Sequence, residues 1–303
     1  MESRARPTRP PARFTASVDG RLCDAAAATI PASDLGLLRG DGCFEYVRVY
    51  LGRPFLLLDH LERLERSCGV LHLPSPREEL TGDIAAVVDA MAAGDQRGMS
   101  YDLRIVLTRS GTRLVVSEPL MTALWPAALG LVTDEPRPLL IGAKTLSYAA
   151  NMLARRLAQE RGFDEALLVT PAGHILESQT SAFFWVADDG VVCTPPLSEG
   201  ILDSITRRVL VQHMRIEERV CDVADALAAR EAFVGGTGWE VRPVTRIEDR
   251  EFGDTPGVAT REALKAIWGE IEKDTGLDLA PHFAQAGSPD FVLAAWRELH
   301  APE

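Results

Sequence analysis

The sequence predicts an α+β protein of two domains, a small N-terminal α/β part and a larger second part. Three observations carry that prediction. A length of 303 residues with 46% hydrophobic side chains is enough for more than one core. Strand-like and helix-like stretches occur in both halves. A stretch at 126–142 holding Pro126, Pro136, Pro138 and two glycines reads as a strand followed by a connection, which places the division near residue 138.

The elements follow in order. Residues 1–12, MESRARPTRPPA, are basic and proline-rich with almost nothing to bury, so they are expected to form a flexible leader. The small domain then spans 13–137. FTASV, the turn at Asp19-Gly20 and the alternating run Cys43 to Tyr50 suggest an antiparallel ribbon. After Pro54 and Phe55, the residues Leu58, Leu61, Leu64 and Cys68 recur at intervals of three and four, the spacing of one buried helical face. A second helix is expected over Leu80 to Ala93, and MSYDLRIVLTRSG reads as a strand ending in a glycine turn.

The large domain spans 138–303. It is expected to hold a helix from about Tyr148 to Arg161, the strands EALLVT, SAFFWVAD and GVVCTPP, a helix from near Ser204, a helix over DVADALAAR and the strand EAFVGG. A C-terminal extension begins near 280, where FVLAAWRELH reads as a short amphipathic helix docking on its own subunit.

A net charge of −12 and a pI near 5.1 leave no electrostatic footprint for nucleic acid or an anionic membrane. The five cysteines are scattered without a CxxC spacing, which points to reduced thiols rather than a disulfide framework or a zinc site. No HExxH spacing marks the histidines and no GxSxG occurs, so metal-dependent or serine hydrolysis lacks support. With no membrane-spanning apolar run and no signal-like segment at the start, a cytoplasmic location is expected.

Among only a few lysines, Lys144 stands at the domain junction beside Gly142, Ala143 and Thr145 instead of other charges. Most lone lysines are simply solvent-exposed. Glu177 ends the apolar phrase HILE after the Gly173 turn, which places a carboxylate against a core where it needs a partner, or else at a turn edge. LSEGILDSITRRVL puts small and polar residues directly before a helix, and GGTG at 235–238 allows close backbone approach. Helix amino termini bind anions readily, although most such residues merely cap the helix.

Taken together, RGDGCFEYVRVYLGRPFLLLDHLERLERS, KTLSYAANMLARRLAQERGFDEALLV, GHILESQTSAFFWV, TPPLSEGILDSITRRVL and GGTGWEVRPV resemble, in that order, the class IV aminotransferases. This fold-type IV group contains branched-chain aminotransferases, D-amino acid aminotransferases and aminodeoxychorismate lyases. The resemblance runs from about Phe14 to Asp249 and implies a large domain around an antiparallel, barrel-like sheet. It implies pyridoxal 5'-phosphate as cofactor, an amino donor and a keto acid as substrates, and a homodimer. By position it makes Lys144 the Schiff-base lysine, puts Glu177 at the pyridine nitrogen and Tyr148 close to the ring, and gives the phosphate to Arg63, Ile205, Thr206 and Thr237.

Arg48 and Arg104 would help hold a substrate carboxylate, with Phe44 and Tyr46 as pocket walls and Gly238 and Trp239 shaping the pocket. Strand arginines can equally pair with the acids of this acidic chain. Ala182 stands where the family usually carries asparagine. The expected activity is ping-pong transamination; the alternative within the resemblance is a lyase of the aminodeoxychorismate type, which releases pyruvate. Donor stereochemistry is not fixed by the sequence.

Overall fold

The computed structural model of the chain describes residues 14–300 except 95, 122–125 and 254–255. The expected leader therefore lies outside the described residues.

A six-stranded antiparallel sheet comes first, built from β1 (Thr15–Val18), β2 (Arg21–Asp24), β3 (Gly42–Tyr50), β4 (Arg53–Pro54), β5 (Tyr101–Thr108) and β6 (Arg113–Glu118), in the order β2-β1-β6-β5-β3-β4. A short helix α1 (Leu35–Arg39) precedes β3, and two longer helices, α2 (Leu57–Leu71) and α3 (Arg77–Ala93), cover one face. Strand alternation decides which residues meet them. Cys43, Val47 and Val49 of β3 pack with Leu61, Leu64 and Cys68 of α2 and with Leu80, Ile84, Val87 and Met91 of α3. The intermediate residues Phe44, Tyr46, Arg48 and Tyr50 point to the opposite side.

Two details of the helices differ from expectation. Leu58 is 65% exposed, and Leu57 instead packs against the core beside Leu61 and Leu64. Helix α3 starts at Arg77 rather than Leu80, with Glu78 and Glu79 in its first turn, where the helix dipole favours acids.

The second sheet contains β7 (Ala127–Thr133), β8 (Glu165–Val169), β9 (His174–Ser178), β10 (Ala182–Val186), β11 (Val192–Thr194), β12 (Ile216–Glu218), β13 (Cys221–Asp222), β14 (Glu231–Gly236), β15 (Glu240–Ile247) and β16 (Arg250–Glu251). Its order is β12-β11-β10-β14-β15-β7-β8-β9-β13, with β16 beside β15. The sheet is mixed rather than antiparallel as expected: β7 runs parallel to both β8 and β15, and β11 runs parallel to β12. The crossover from β7 to β8 passes through α4 (Ala149–Glu160), and a connection of that length is what a parallel pair requires. Strand β7, expected ahead of the division near 138, pairs within this second sheet.

Helices α5 (Ile205–His213) and α6 (Val223–Ala228) follow, then α7 (Val258–Thr275), α8 (Ala280–Ala286) and α9 (Asp290–Leu299). Helix α7 is absent from the sequence-based expectations, yet Ala259, Ala263, Leu264, Ile267, Trp268 and Ile271 are buried along it at helical spacing. These side chains join Phe184, Phe233, Val209, Phe283, Val292 and Ala295 in one cluster, so the C-terminal helices cover the second sheet. The helix expected within FVLAAWRELH is α9, and it docks on its own chain through Val292 and Ala295. Among the described residues no helix is long and apolar enough to cross a membrane.

Candidate active site

Between the two sheets lies a cleft of about 370 Å³, within the range of small-molecule sites. Its lysine is held by backbone pairing to the first sheet. The Phe44 N–H donates to the Lys144 carbonyl at 3.0 Å, the Leu146 N–H to the Gly42 carbonyl at 2.8 Å, and the Lys144 N–H to Ser67 Oγ at 3.0 Å. Lys144 Nζ stands 4.6 Å from the centre of the Phe44 ring and 5.5 Å from that of Tyr148. Burial and the nearby Arg63 guanidinium push the ammonium down to about 8, against an opposing pull from Glu45 and Glu177. The chain has three lysines, and the other two, Lys265 and Lys273, pair with Glu298 and Glu270 on the outside of α7.

Glu177 comes to the cleft from β9. Burial raises its carboxyl to about 7, although the Leu202 N–H donates to Oε1 at 3.1 Å and Lys144 works in the same lowering direction. An acid in that condition gains charge if a cation comes against it. Tyr148 sits at the N-cap position of α4, donates to the Gln179 carbonyl at 3.0 Å and meets Phe44 edge to face at 5.4 Å.

Arg63 lies on the buried face of α2. Its Nε and Nη2 donate to the two oxygens of Glu45 at 2.7 Å each, and Nη1 donates to the Asp203 carbonyl at 3.1 Å. His60 Nδ1 is 2.8 Å from the same carboxylate. Burial works against the charge on Glu45, yet Arg63 and His60 hold it well below the ordinary carboxylate range. Glu45 thus fixes the fork of Arg63 beside the amino terminus of α5. Neither Glu45 nor His60 was anticipated from the sequence; the available signal was a carboxylate on the core side of β3, between Cys43 and Val47.

Ile205 and Thr206 are buried and do not themselves line the cleft. Their backbone N–H groups, in the first turn of α5, find no acceptor among the described residues. Ser204 caps the helix by accepting from the Arg207 N–H. Thr237, Gly238 and Trp239 line the cleft on the turn between β14 and β15. A Cβ on Gly236 would lie 2.9 Å from Ser181 Oγ and 3.2 Å from the Thr180 carbonyl oxygen, so glycine there eases a close approach. Ser181 Oγ is buried without a hydrogen-bond partner among the described residues. Ala182, at the asparagine position, is fully packed in the core and offers no polar contact.

Phe44, Tyr46 and Arg104 also line the cleft. Arg104 stands opposite Tyr46 across β3 and β5, its guanidinium 4.9 Å from the Tyr46 ring centre and 5.6 Å from that of Phe44. Glu118 takes two of its donors, at 2.6 and 3.0 Å. Arg48 requires a correction. It does not line the cleft, because Asp102 lies directly opposite and takes Nε at 2.5 Å, while Nη2 donates to the carbonyls of Met121 and Gly238 at 3.1 and 2.9 Å. With 3% exposure and its Nε and Nη2 donors taken up within the protein, Arg48 is not presented to the cleft. Among the described residues no group of acidic, cysteine or histidine side chains could hold a metal ion.

An arrangement of a lysine of lowered pKa, a partly buried acid of raised pKa and a set of anion-binding donors suits capture of a phosphorylated carbonyl compound. The chain is 27% identical over 277 residues to D-alanine aminotransferase of Bacillus licheniformis, covering 85% of this chain and 97% of that one. It is 29% identical over 275 residues to aminodeoxychorismate lyase of Bacillus subtilis, covering 83% and 92%. In structure it is similar to a fold IV transaminase of Curtobacterium pusillum, with a TM-score of 0.75, 26% identity, and coverage of 84% and 99%. Residues 42–247, from the start of β3 to the end of β15, match the family described as amino-transferase class IV, and the chain belongs to that family, with its fold-type IV architecture.

Proposed function

We propose that this chain binds pyridoxal 5'-phosphate through Lys144 and transfers an amino group between an amino acid or chiral amine and a 2-keto acid, with ping-pong kinetics. The observation that carries the reading is Lys144 itself: the one lysine in the cleft, pinned on both sides, with its amine brought down to about 8 opposite Glu177.

The residues present fit the cofactor. Arg63 and the acceptor-free N–H groups of Ile205 and Thr206 supply charge and donors for a phosphate, with Thr237 beside them on the neighbouring turn. Glu177 supplies an anion for a protonated ring nitrogen. When bound, the cofactor supplies a carbonyl that captures amines and a ring that accepts the electrons left behind when the Cα proton departs. Lys144 Nζ, neutral above about pH 8, is the group that takes and returns that proton. Phe44, Tyr46 and Trp239 narrow the cleft against water, and Arg104 offers a guanidinium to a substrate carboxylate.

A homodimer accounts for the apolar surface near the cleft. Leu37 and Leu38 of α1, Leu139 and Ile141 ahead of Lys144, and Leu153 and Leu157 of α4 are all exposed. Ser147 Oγ donates to the Gly40 carbonyl at 3.2 Å, which ties α1 to the lysine segment. Such a surface suits burial against a second copy.

The test is an absorbance spectrum of the cofactor-loaded protein after separate additions of D-alanine, L-leucine, (R)-1-phenylethylamine and 4-amino-4-deoxychorismate. Loss of the visible band with release of the matching keto product from one of the first three supports transamination and gives its stereochemical class. Pyruvate release from the last alone moves the chain to the lyase reading, which its similarity to the Bacillus subtilis lyase keeps in view.

A further inference from the structure

Helices α8 and α9 lie beyond the residues matched by the family, yet α8 reaches the residue that follows the turn lining the cleft. Glu240, the first residue of β15, directly follows Thr237, Gly238 and Trp239. It has φ +57°, a left-handed conformation that costs energy for a residue with a Cβ. Its partly buried carboxylate collects three side-chain donors from three parts of the chain. Tyr50 Oη of β3 donates to Oε1 at 2.9 Å, Trp268 Nε1 of α7 donates to Oε2 at 2.8 Å, and His282 Nε2 of α8 lies 3.3 Å from Oε1. Burial opposes the charge, but His282, Arg48 and Trp268 hold the carboxyl down at about 2.

The histidine is itself set by the first sheet. Its Nδ1 lies 2.9 Å from Ser100 Oγ, so a hydroxyl donating there leaves Nε2 to carry the proton toward Glu240. Gln285, one turn further along α8, brackets the same residue: its amide oxygen accepts from the Ser100 N–H and its nitrogen donates to the Ser100 carbonyl, both at 2.7 Å. Arg48 secures the middle of the turn through the Gly238 carbonyl.

We propose that the C-terminal extension positions the substrate side of the cleft: His282 holds Glu240, and through it the turn Thr237–Trp239, against the first sheet. His282 is a positioning residue, because it touches no part of the cleft itself. The inference rests on this cleft being the reaction site, and it assigns the extension a role in substrate fit rather than in cofactor capture.

The experiment uses the full-length, cofactor-loaded protein with His282→Phe, which keeps the ring packed against Tyr50 and Phe283 but removes the N–H. Hydrogen exchange of the peptide spanning 235–241 is expected to speed up about tenfold, and KM for the amino donor to rise about tenfold. The kcat, the visible spectrum and exchange around Lys144 are expected to stay near wild type. His282→Gln, whose amide can still donate to Glu240, should restore part of the loss. Wild-type exchange and KM in His282→Phe would overturn the proposal, as would a uniform rise in exchange across the second sheet. If His282→Phe does not fold, Gln285→Ala frees α8 from Ser100 instead: faster exchange at 235–241 with a raised KM supports the proposal, and wild-type values of both overturn it. Faster exchange at 235–241 in a protein whose wild type turns over none of the donors would leave the positioning role standing and remove the proposed activity instead.

Discussion

Arg48 and Asp102 stand directly opposite each other on β3 and β5 and form a 2.5 Å ion pair, while the same guanidinium reaches the Gly238 carbonyl on the far side of the cleft. A residue expected to bind substrate is instead a tie between the two sheets. Removing one member of a buried pair leaves the other uncompensated. Asp102→Asn is therefore expected to cost about 3 kcal/mol in urea unfolding. A midpoint within error of wild type would show that the pair does not support the fold.

Arg104 lines the cleft with its guanidinium against Phe44 and Tyr46. Arg104→Ala is expected to raise KM for amino-acid donors by roughly tenfold while changing KM for (R)-1-phenylethylamine little, since the amine has no carboxylate to lose. Equal effects on both donors would take carboxylate recognition away from this residue.

Glu177 is a partly buried acid lifted to about 7, above its ordinary value near 4.5, chiefly by desolvation. Its folded-state pKa is raised, so in the cofactor-free protein its ionisation lowers stability as pH rises from about 4.5 to 7. Glu177→Gln is expected to flatten that part of the stability curve. In the loaded enzyme the same change should leave the cofactor bound but slow turnover by roughly a hundredfold, the scale on which a preorganised charge acts. Unimpaired turnover would remove the proposed contact to the ring nitrogen.

Lys144 has the opposite sense. Its folded-state pKa of about 8 lies below the ordinary 10.5, so below pH 8 the protein carries a partly buried, poorly solvated ammonium at a cost. Cofactor-free Lys144→Met is expected to be more stable than wild type by on the order of 2 to 3 kcal/mol at pH 7. The gain should shrink as pH rises from about 8 to 10.5. Thermal melts across that range check it, and a gain independent of pH would show that the charge is not the cause.

Much of this architecture was legible in local pattern. The alternation of β3, the spacing of Leu61, Leu64 and Cys68, and the glycine turn after β14 each reflect a period or a steric need carried within a few residues. Helix α7 was equally legible, since Ala263, Leu264, Ile267, Trp268 and Ile271 repeat at helical spacing, but no motif drew attention to it. Parallel pairing of β7 was not, because residues on both of its neighbours are more than 30 positions away and nothing local encodes which strands meet.

At the cleft, Lys144, Glu177, Tyr148 and Arg63 came from the ordered blocks of sequence. The orienting pair Glu45 and His60, and the acceptor set that withdraws Arg48, depend on which strand lies opposite which. The partner of Arg48 sits 54 residues along the chain, and only the register of β3 against β5 brings it within 2.5 Å. For the same reason the sequence could place an extension after residue 280 but not His282 against Glu240.

The central claim is that Lys144 carries the cofactor. Borohydride reduction of the protein loaded with pyridoxal 5'-phosphate, followed by peptide mass mapping, tests it most directly, because the chain offers only Lys144, Lys265 and Lys273. One pyridoxyl group per chain on the peptide containing Lys144, absent in Lys144→Ala, is the predicted result. Labelling confined to Lys265 or Lys273, or a cofactor that leaves no label at all, would contradict it.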